Sequence, residues 1–232
     1  IRDRIGAISR SISPNSIIGR RIRKTGELLR LDEEAMLTEA MSFSEVNADY
    51  RLNLLTRSLR DEVPVDGIPL PFRSSFAATK GCHPVERLLD LEINGFMPDH
   101  NLNYTDKMAM QAGVEVRVPF CDPKLIAFAR ELPLGQLINF KQTKRILRAS
   151  QNGRVPDEVL TRPKQGFGVP VRSWLKGPAL PLMEELTAAS IIKKRGLFDA
   201  ESVTRLRKEF LRGKIDAAMT LFPIMAIEAW CQ

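Results

Sequence analysis

The sequence predicts a mainly α-helical fold, and two observations support this prediction. Apolar residues recur at the three- and four-residue spacing of a helix face, and residues suited to cap helices precede several of these stretches. No segment shows the alternation of apolar and polar residues that is typical of a half-buried strand. With 232 residues, 44% of them hydrophobic, the chain is long enough to form one domain or a large part of a bigger one.

The first predicted helices lie before residue 60. Asp32 is suited to cap a helix over about residues 33–41, because its carboxylate can accept a backbone N–H and two acidic residues follow it. A second helix is predicted over about residues 45–59. Three prolines and a glycine within residues 61–71 then predict a loop or an extended connector.

Further start and stop signals follow in the second half of the chain. Pro84 is suited to begin a helix, and Gly113 to end one that spans about residues 104–111. An Asp cap followed by proline at the first helical position, as in Asp122-Pro123, predicts a helix over residues 124–131. The remaining predicted helices cover residues 141–151, 156–161, 180–188, 199–212 and 216–231, the last one kinked or divided at Pro223.

Cysteine and histidine usage argues against a metal site, a disulfide framework and a His-based triad. The three cysteines, Cys82, Cys121 and Cys231, are far apart and odd in number, and the two histidines are expected to be structural. Such usage is typical of a reducing cytoplasmic compartment. No apolar run approaches the roughly 20 residues that span a bilayer, so no membrane partner is expected. The first residue is isoleucine, and we expect the chain to be part of a longer protein.

Positive charge is concentrated near the amino terminus. The net charge of the chain is +7, and residues 1–30 hold eight basic and two acidic side chains. No aromatic residue lies among them to stack on bases, so we expect no nucleic-acid partner. A solvated helix face, or a face that packs on further protein, is the favoured interpretation. Residues 1–82 are accordingly predicted to be a basic helical segment followed by the proline-rich connector.

Two short segments combine ionisable residues with proline, glycine and phenylalanine in an order that amphipathic packing does not require. Residues 113–120 read Gly-Val-Glu-Val-Arg-Val-Pro-Phe, and an extended backbone there would direct Glu115 and Arg117 to the same side. Residues 162–167 read Arg-Pro-Lys-Gln-Gly-Phe and place Lys164 where its ammonium group can meet an anion. Both segments therefore have the composition of a site.

A third candidate segment lies between them. Lys144 and Arg148 are four residues apart, which is the spacing of one helix face, and Lys141 lies one turn earlier. These side chains either contact phosphate groups or form a solvated basic face.

These segments resemble the asparagine synthetase family, in matching order over about residues 83–232. The resemblance begins with residues 102–110, Leu-Asn-Tyr-Thr-Asp-Lys-Met-Ala-Met, and continues through the Glu-x-Arg-Val-Pro-Phe run to Asp122. The signature at residues 155–170, Val-Pro-Asp-Glu-Val-Leu-x-Arg-Pro-Lys-Gln-Gly-Phe-Gly-Val-Pro, is the most specific part. The other matching segments are the Lys141-x-x-Lys144-x-x-Leu147-Arg148 pattern, Trp174-Leu175, residues 196–199 and the closing helix with Trp230.

The resemblance implies the helical second half of an adenine-nucleotide α-hydrolase-like (ATP pyrophosphatase) α/β synthetase domain. In this family ATP adenylates a carboxylate, aspartate above all, and ammonia that a glutaminase domain releases from glutamine then gives the amide. The family's Ser-Gly-Gly-x-Asp-Ser pyrophosphate loop does not occur in this sequence. We therefore expect ATP and Mg²⁺ to be bound mainly by the other half of the domain, and this chain alone to be inactive.

The resemblance also implies roles for individual residues. Lys164 would stabilise the negative charge that develops during adenylation. Glu115 would line the site as a catalytic carboxylate, or pair with Arg117 to brace the turn that follows. Lys144, Arg148 and Lys141 would contact ATP or pyrophosphate. Supporting roles fall to Asp106, Arg117, Arg162 and Gly166, the last because glycine permits close backbone approach to a ligand.

The sequence departs from the family pattern at two positions, and the first departure keeps alternatives for the substrate open, whereas the second is a near-conservative core change. Tyr104 lies two residues before Asp106, where many relatives carry Lys or Arg, and Cys121 replaces a leucine. A phenol and a cation suit different acceptors, so an amidotransferase acting on a sugar acid or a peptide is one alternative. A synthetase that forms a β-lactam-type ring is another. A helical binding remnant without activity is the non-enzymatic alternative.

Overall fold

The computed structural model describes residues 17–63, 67–139, 141–163 and 168–232. Regular structure within these ranges is helical apart from two isolated antiparallel bridges, Leu55 with Phe198 and Ile138 with Thr143. This confirms the predicted mainly α-helical fold. The described residues form two compact units, one within residues 1–103 and 170–232 and the other within residues 104–169. The two units are defined by how the chain packs in the structure, whereas the boundary predicted after residue 82 rests on where the family resemblance begins. The units therefore do not test that boundary.

Local caps define the helices in the first part of the larger unit. The Asp32 carboxylate accepts a hydrogen bond from Ala35 N at 2.8 Å, and the side chain of His83 accepts one from Val85 N at 3.2 Å while Glu86 accepts from the His83 backbone. These contacts confirm the predicted starts of two helices and give His83 a structural role. The helices are α1 (Ile17–Leu28), α2 (Glu33–Met41), α3 (Ala48–Leu52), α4 (Arg57–Arg60), α5 (Leu70–Ala78), α6 (Pro84–Leu91) and a π-helix at Glu92–Leu102.

The single helix predicted over residues 45–59 is wrong. Asn47 caps the short helix α3, and the chain leaves the helical conformation before α4 begins. Between α3 and α4, Thr56 N donates to Leu197 O at 3.0 Å and Asp199 N donates to Leu54 O at 2.8 Å. A backbone interaction with a distant segment therefore interrupts a locally favourable helical pattern.

Two further predictions concern prolines. The connector predicted over residues 61–71 ends early, because α5 begins at Leu70. Pro71 lies in the first turn of this helix, where backbone N–H groups have no partner within the helix, so its missing N–H costs no hydrogen bond. Residues 64–66 lie outside the described residues. The closing helix spans Ala218–Trp230 with Pro223 inside it, so the predicted division there is wrong, while the alternative of a kink stays a prediction.

The smaller unit contains short helices and no buried side chain among its described residues. Large apolar side chains are instead exposed there, including Phe120 at 66%, Met108 at 61% and Val159 at 60%. Exposed apolar surface of this extent is typical of a surface that contacts other protein. The helices are α7 (Asn103–Gln111), a 3₁₀ turn at Pro119–Cys121, α8 (Pro123–Arg130), α9 (Leu134–Leu137), α10 (Arg145–Ser150) and α11 (Asp157–Thr161).

The main core of the larger unit lies in its carboxy-terminal helices. Leu206, Val203, Leu221, Ile192 and Met183 are completely buried, and burial of apolar surface of this kind is the main stabilising contribution to a fold. The helices are α12 (Val171–Leu175), α13 (Leu180–Leu186), α14 (Ala189–Arg195), α15 (Ala200–Leu211) and α16 (Ala218–Trp230).

An ion-pair network fixes the amino-terminal part of the larger unit to this core. Arg172 Nε lies 2.6 Å from Asp216 Oδ2, and Arg172 Nη2 lies 2.8 Å from Glu45 Oε1. Both oxygens of Glu45 also accept the backbone N–H of Met219 at 3.0 Å. Burial raises the pKa of Glu45, and the nearby negative charge of Asp216 raises it further, although the Met219 N–H and Arg172 act in the opposite direction.

In the part of the chain that the structure describes, no helix is both long and apolar enough to cross a membrane. All three cysteines lie in this part, and none of them forms a disulfide.

Candidate active site

The first candidate segment begins where α7 ends. Asp106 is exposed in the first turn of α7. At the other end, Gly113 N donates to Met110 O at 3.0 Å and Val114 N donates to Ala109 O at 2.9 Å, with Gly113 in the left-handed conformation at φ 68°. This pair of bonds is a Schellman motif, for which glycine is the favoured residue. It confirms the predicted helix end and sets the direction in which residues 114–118 leave the helix.

Glu115 and Arg117 form an ion pair in the extended segment that follows. Arg117 Nη2 lies 2.5 Å from Glu115 Oε1, which agrees with the expectation that side chains two residues apart point to the same side. The two side chains are 67% and 84% exposed, so this pair contributes at most about 1 kcal/mol to stability. The catalytic role of Glu115 stays a prediction.

Asp122 is a helix cap, as expected from the sequence. Its Oδ1 accepts hydrogen bonds from Lys124 N at 2.9 Å and Leu125 N at 3.1 Å at the start of α8. The short turn before it begins at Pro119, so the Val-Pro-Phe run connects the extended segment directly to the next helix.

The lysine-bearing segment begins with a tight turn. Asn139 Oδ1 accepts the backbone N–H groups of Lys141 at 2.9 Å and Gln142 at 2.7 Å, and Asn139 N donates to Gln142 O. This side-chain turn places Lys141 on the surface, where its ammonium group is exposed.

Lys144 precedes α10 and does not share a helix face with Arg148. The helix predicted over residues 141–151 begins only at Arg145, and Lys144 occupies the cap position with φ 56° and ψ 39°. It is the one non-glycine residue with positive φ among the described residues. Left-handed backbone is costly for a residue with a Cβ atom, and such residues are concentrated at functional sites.

The two arginines of α10 are used inside the smaller unit. Arg148 Nη1 donates to the carbonyl oxygen of Leu160 in α11, and its Nε is buried without a hydrogen-bond partner. Arg145, which was not among the predicted site residues, donates to the carbonyl oxygen of Gly135 in α9. The sequence contained no signal that separated Arg145 from the other basic residues of this run. Arg148 thus connects the basic segment to α11, which lies within the most specific motif, residues 155–170.

The remaining predicted residues lie in that motif. Arg162 is exposed at the end of α11, where its backbone N–H donates to Glu158 O at 3.1 Å. Lys164 and Gly166 lie outside the described residues. The proposed chemistry needs convergent charge, so we predict that Lys164, Lys144 and Glu115 approach one shared, open face.

The described residues contain no group of three or more His, Cys, Asp or Glu side chains that could hold a metal ion.

Comparisons with known proteins relate these motifs to a class of enzymes. One relative is a protein of Mycobacterium tuberculosis (strain H37Rv) whose name describes an asparagine synthetase (glutamine-hydrolyzing). It is 30% identical over 231 residues, which are 99% of this chain. Asparagine synthetase (glutamine-hydrolyzing) 1 of Bacillus subtilis is 26% identical over 158 residues, 68% of this chain and 25% of that protein. An asparagine synthetase domain-containing protein of Saccharomyces cerevisiae is 40% identical over 93 residues, 39% of this chain and 17% of that protein. No solved structure matches significantly.

The helical fold and the ordered motifs are those of the adenine-nucleotide α-hydrolase-like synthetase class. The chain belongs to the asparagine synthase family, which matches residues 3–232. This match extends the resemblance from residues 83–232 to nearly the whole chain. The chain spans 34% of the length of the mycobacterial relative.

Proposed function

We propose that this chain is part of the synthetase domain of an ATP-dependent amide ligase that converts aspartate to asparagine with ammonia from glutamine. The observation that carries the proposal is the match to the asparagine synthase family over residues 3–232. The mycobacterial and Bacillus subtilis relatives have names that describe glutamine-hydrolyzing asparagine synthetases. In the full-length protein the ammonia would come from a glutaminase domain.

The proposed chemistry has two steps. A carboxylate oxygen of aspartate attacks the α-phosphorus of ATP, forming aspartyl-AMP and releasing pyrophosphate. Ammonia then attacks the acyl carbon, the bond to AMP breaks, and asparagine, AMP and a proton are formed. Negative charge grows on the phosphoryl oxygens and on the leaving pyrophosphate in the first step, so a positioned cation there stabilises the transition state more than the ground state. We assign that role to Lys164.

Lys141 and Lys144 are suited to hold phosphate groups of ATP or pyrophosphate. Both side chains are exposed, and neither forms an ion pair within the described ranges. Arg148 is less available, because its Nη1 is bonded to Leu160. We therefore propose that Arg148 acts mainly as a positioning residue, which holds the helix that ends three residues before Lys164.

ATP and Mg²⁺ would be bound mainly by protein outside this chain. Among the described residues, Glu115 already pairs with Arg117, and no acidic cluster is present to hold a metal ion. The exposed apolar side chains of the smaller unit, such as Phe120 and Met108, are suited to contact that further protein. This is why we expect the chain alone to be inactive.

A different carboxylate acceptor is the second candidate, and Tyr104 favours it. This side chain is 52% exposed at the start of α7, and it lies two residues before Asp106, where many relatives have a cation. A phenol cannot form the ion pair with a second carboxylate that a lysine or arginine would form. A sugar acid or a peptide carboxylate is therefore a reasonable acceptor.

Product formation by the full-length protein tests the proposal. Purified enzyme is incubated with Mg-ATP, glutamine and one carboxylic acid at a time, and AMP, pyrophosphate and the amide are quantified. Aspartate should give equimolar AMP, pyrophosphate and asparagine. Turnover with a sugar acid or a peptide but not with aspartate would replace the first candidate by the second. Absence of pyrophosphate formation with every acid would leave the inactive remnant as the correct interpretation.

A further inference from the structure

A cationic groove lies in the larger unit, among residues that none of the candidate-site motifs includes. It has a volume of about 350 Å³ and lies between α14, α15 and the segment that follows α15. Five basic side chains line it, together with two carboxylates, so its formal net charge is +3. The basic residues are Lys193, Arg205, Lys208, Arg212 and Lys214.

The basic side chains converge from different parts of the fold. Arg205, Lys208 and Arg212 follow one another at three- and four-residue spacing, so they share one face of α15 and its end. Lys193 approaches from the last turn of α14, and Lys214 from the segment after α15. Helix carboxyl ends favour a nearby cation, but this effect does not require five of them to line one groove.

Most of this charge has no internal partner. In the part of the chain described here, Lys193, Lys208, Arg212 and Lys214 form no ion pair, and all four are exposed. Arg205 donates to Ser202 Oγ at 3.2 Å, which directs its guanidinium along the helix surface. Of the two carboxylates, Glu209 accepts a hydrogen bond from the hydroxyl of Tyr50 at 3.4 Å. The groove therefore presents an excess of positive charge that its two carboxylates do not balance.

The shape of the groove indicates the class of ligand. A volume near the lower end of the range of about 300–1,000 Å³ suits a small molecule. No described residue that lines the groove is aromatic, and stacking on aromatic side chains is what single-stranded nucleic acid uses. Arg205 to Arg212 spans about 10 Å along the helix axis, enough to follow two or three linked phosphoryl groups. Phosphate oxygens accept hydrogen bonds from the planar guanidinium of arginine, which can donate two at once, and from the compact ammonium group of lysine.

We propose that this groove binds a small anion with two or more phosphoryl groups. The proposal does not depend on the amide-ligase chemistry, because no described residue assigned to that chemistry lines the groove.

Calorimetric titration with inorganic tripolyphosphate, without divalent metal, tests the proposal on the 232-residue chain. One site per chain is expected, with an affinity that weakens several-fold between about 50 mM and about 150 mM salt. The double variant Lys208→Gln/Arg212→Gln should bind about tenfold or more weakly, because each change removes a charge-assisted hydrogen bond.

The matched control is Lys80→Gln/Lys124→Gln, which removes the same charge from two exposed residues outside the groove. It should bind within about twofold of the wild type. Circular dichroism establishes that both variants keep their helices. Equal weakening in the two double variants would show general charge attraction and overturn the proposal. Absence of saturable binding would overturn it too, as would displacement of tripolyphosphate by an acidic peptide or a short RNA at lower concentration.

Discussion

Arg148 and Leu160 are joined by a hydrogen bond from the guanidinium Nη1 to the backbone carbonyl oxygen, and this bond connects α10 to α11. Because α11 ends at Thr161, the contact lies immediately before the Arg162-Pro163-Lys164 segment. The side chain that was expected to bind phosphate therefore holds the helix that precedes Lys164 in the chain, the residue to which we assign the central chemical role.

Replacing Arg148 by methionine should loosen α11. The variant keeps much of the aliphatic packing but removes a charged donor, which is worth about 1.5 kcal/mol. The amide of Arg162, which donates to Glu158 O in the last turn, should then exchange its hydrogen about tenfold faster. Hydrogen exchange followed by mass spectrometry measures this change. Arg154→Met, at an exposed position, is the control, and equal protection of α11 in both variants would refute the role given to Arg148.

Substitutions of Lys144 should affect stability through its backbone conformation and function through its ammonium group. Its backbone is left-handed, so Lys144→Gly should be more stable than Lys144→Ala by about 0.5–1 kcal/mol, since only alanine keeps the strained Cβ atom. Urea unfolding of the two variants gives the difference. If the ammonium group holds phosphate, both variants of the full-length enzyme should raise KM for ATP by similar factors. Equal stabilities would contradict the backbone conformation.

The ion pairs of Arg172 and Arg117 should differ strongly in their contribution to stability. Glu45 and Asp216 are only 12% and 11% exposed, so Arg172→Met removes a cation that two mostly buried carboxylates contact. We expect a loss of about 1–2 kcal/mol in the free energy of unfolding. Arg117→Met removes an exposed pair and should cost less than about 0.5 kcal/mol. Similar losses in urea unfolding would show that burial does not distinguish the two pairs.

The pH dependence of stability should reflect Glu45. Its pKa is raised in the folded protein, chiefly by burial, so the folded state binds the proton more tightly than the unfolded state. Its stabilising contribution is therefore complete below the unfolded value, near 4.5, and is lost as the pH rises through the folded pKa. Relative to Glu45→Gln, the wild type should gain stability as the pH is lowered from neutral toward 4.5. A constant difference across this range, measured by urea unfolding, would contradict the raised pKa.

Local chemistry explains which parts of the fold the sequence predicted. Asp32, Asp122 and Gly113 act through hydrogen bonds to residues within five positions of them, so their effects were visible in the sequence. The interruption of the predicted helix near Leu54 depends on hydrogen bonds to the backbone of residues 197–199. Such a contact between distant segments cannot be predicted from the local sequence pattern.

The candidate site shows the same division. The Glu115–Arg117 pair follows from the alternation of side chains along an extended segment, and it was one of two open interpretations. The positive φ of Lys144 and the bond from Arg148 to Leu160 depend on how α10 packs beside its neighbours in the smaller unit. The four-residue spacing predicted that Lys144 and Arg148 share one helix face. Because the turn at Asn139 precedes the helix, the helix begins only at Arg145, and Lys144 does not share a face with Arg148.

The role proposed for Lys164 is tested most directly by pyrophosphate formation in the full-length enzyme with Lys164 replaced by alanine. With Mg-ATP and the accepted carboxylic acid, single-turnover pyrophosphate formation should fall by about 100-fold or more, because a cation that stabilises developing charge is lost. Glutamine hydrolysis should stay within about twofold of the wild type, and the exposed-lysine control Lys124→Ala should retain both activities. Undiminished pyrophosphate formation in the Lys164→Ala enzyme would contradict the central claim.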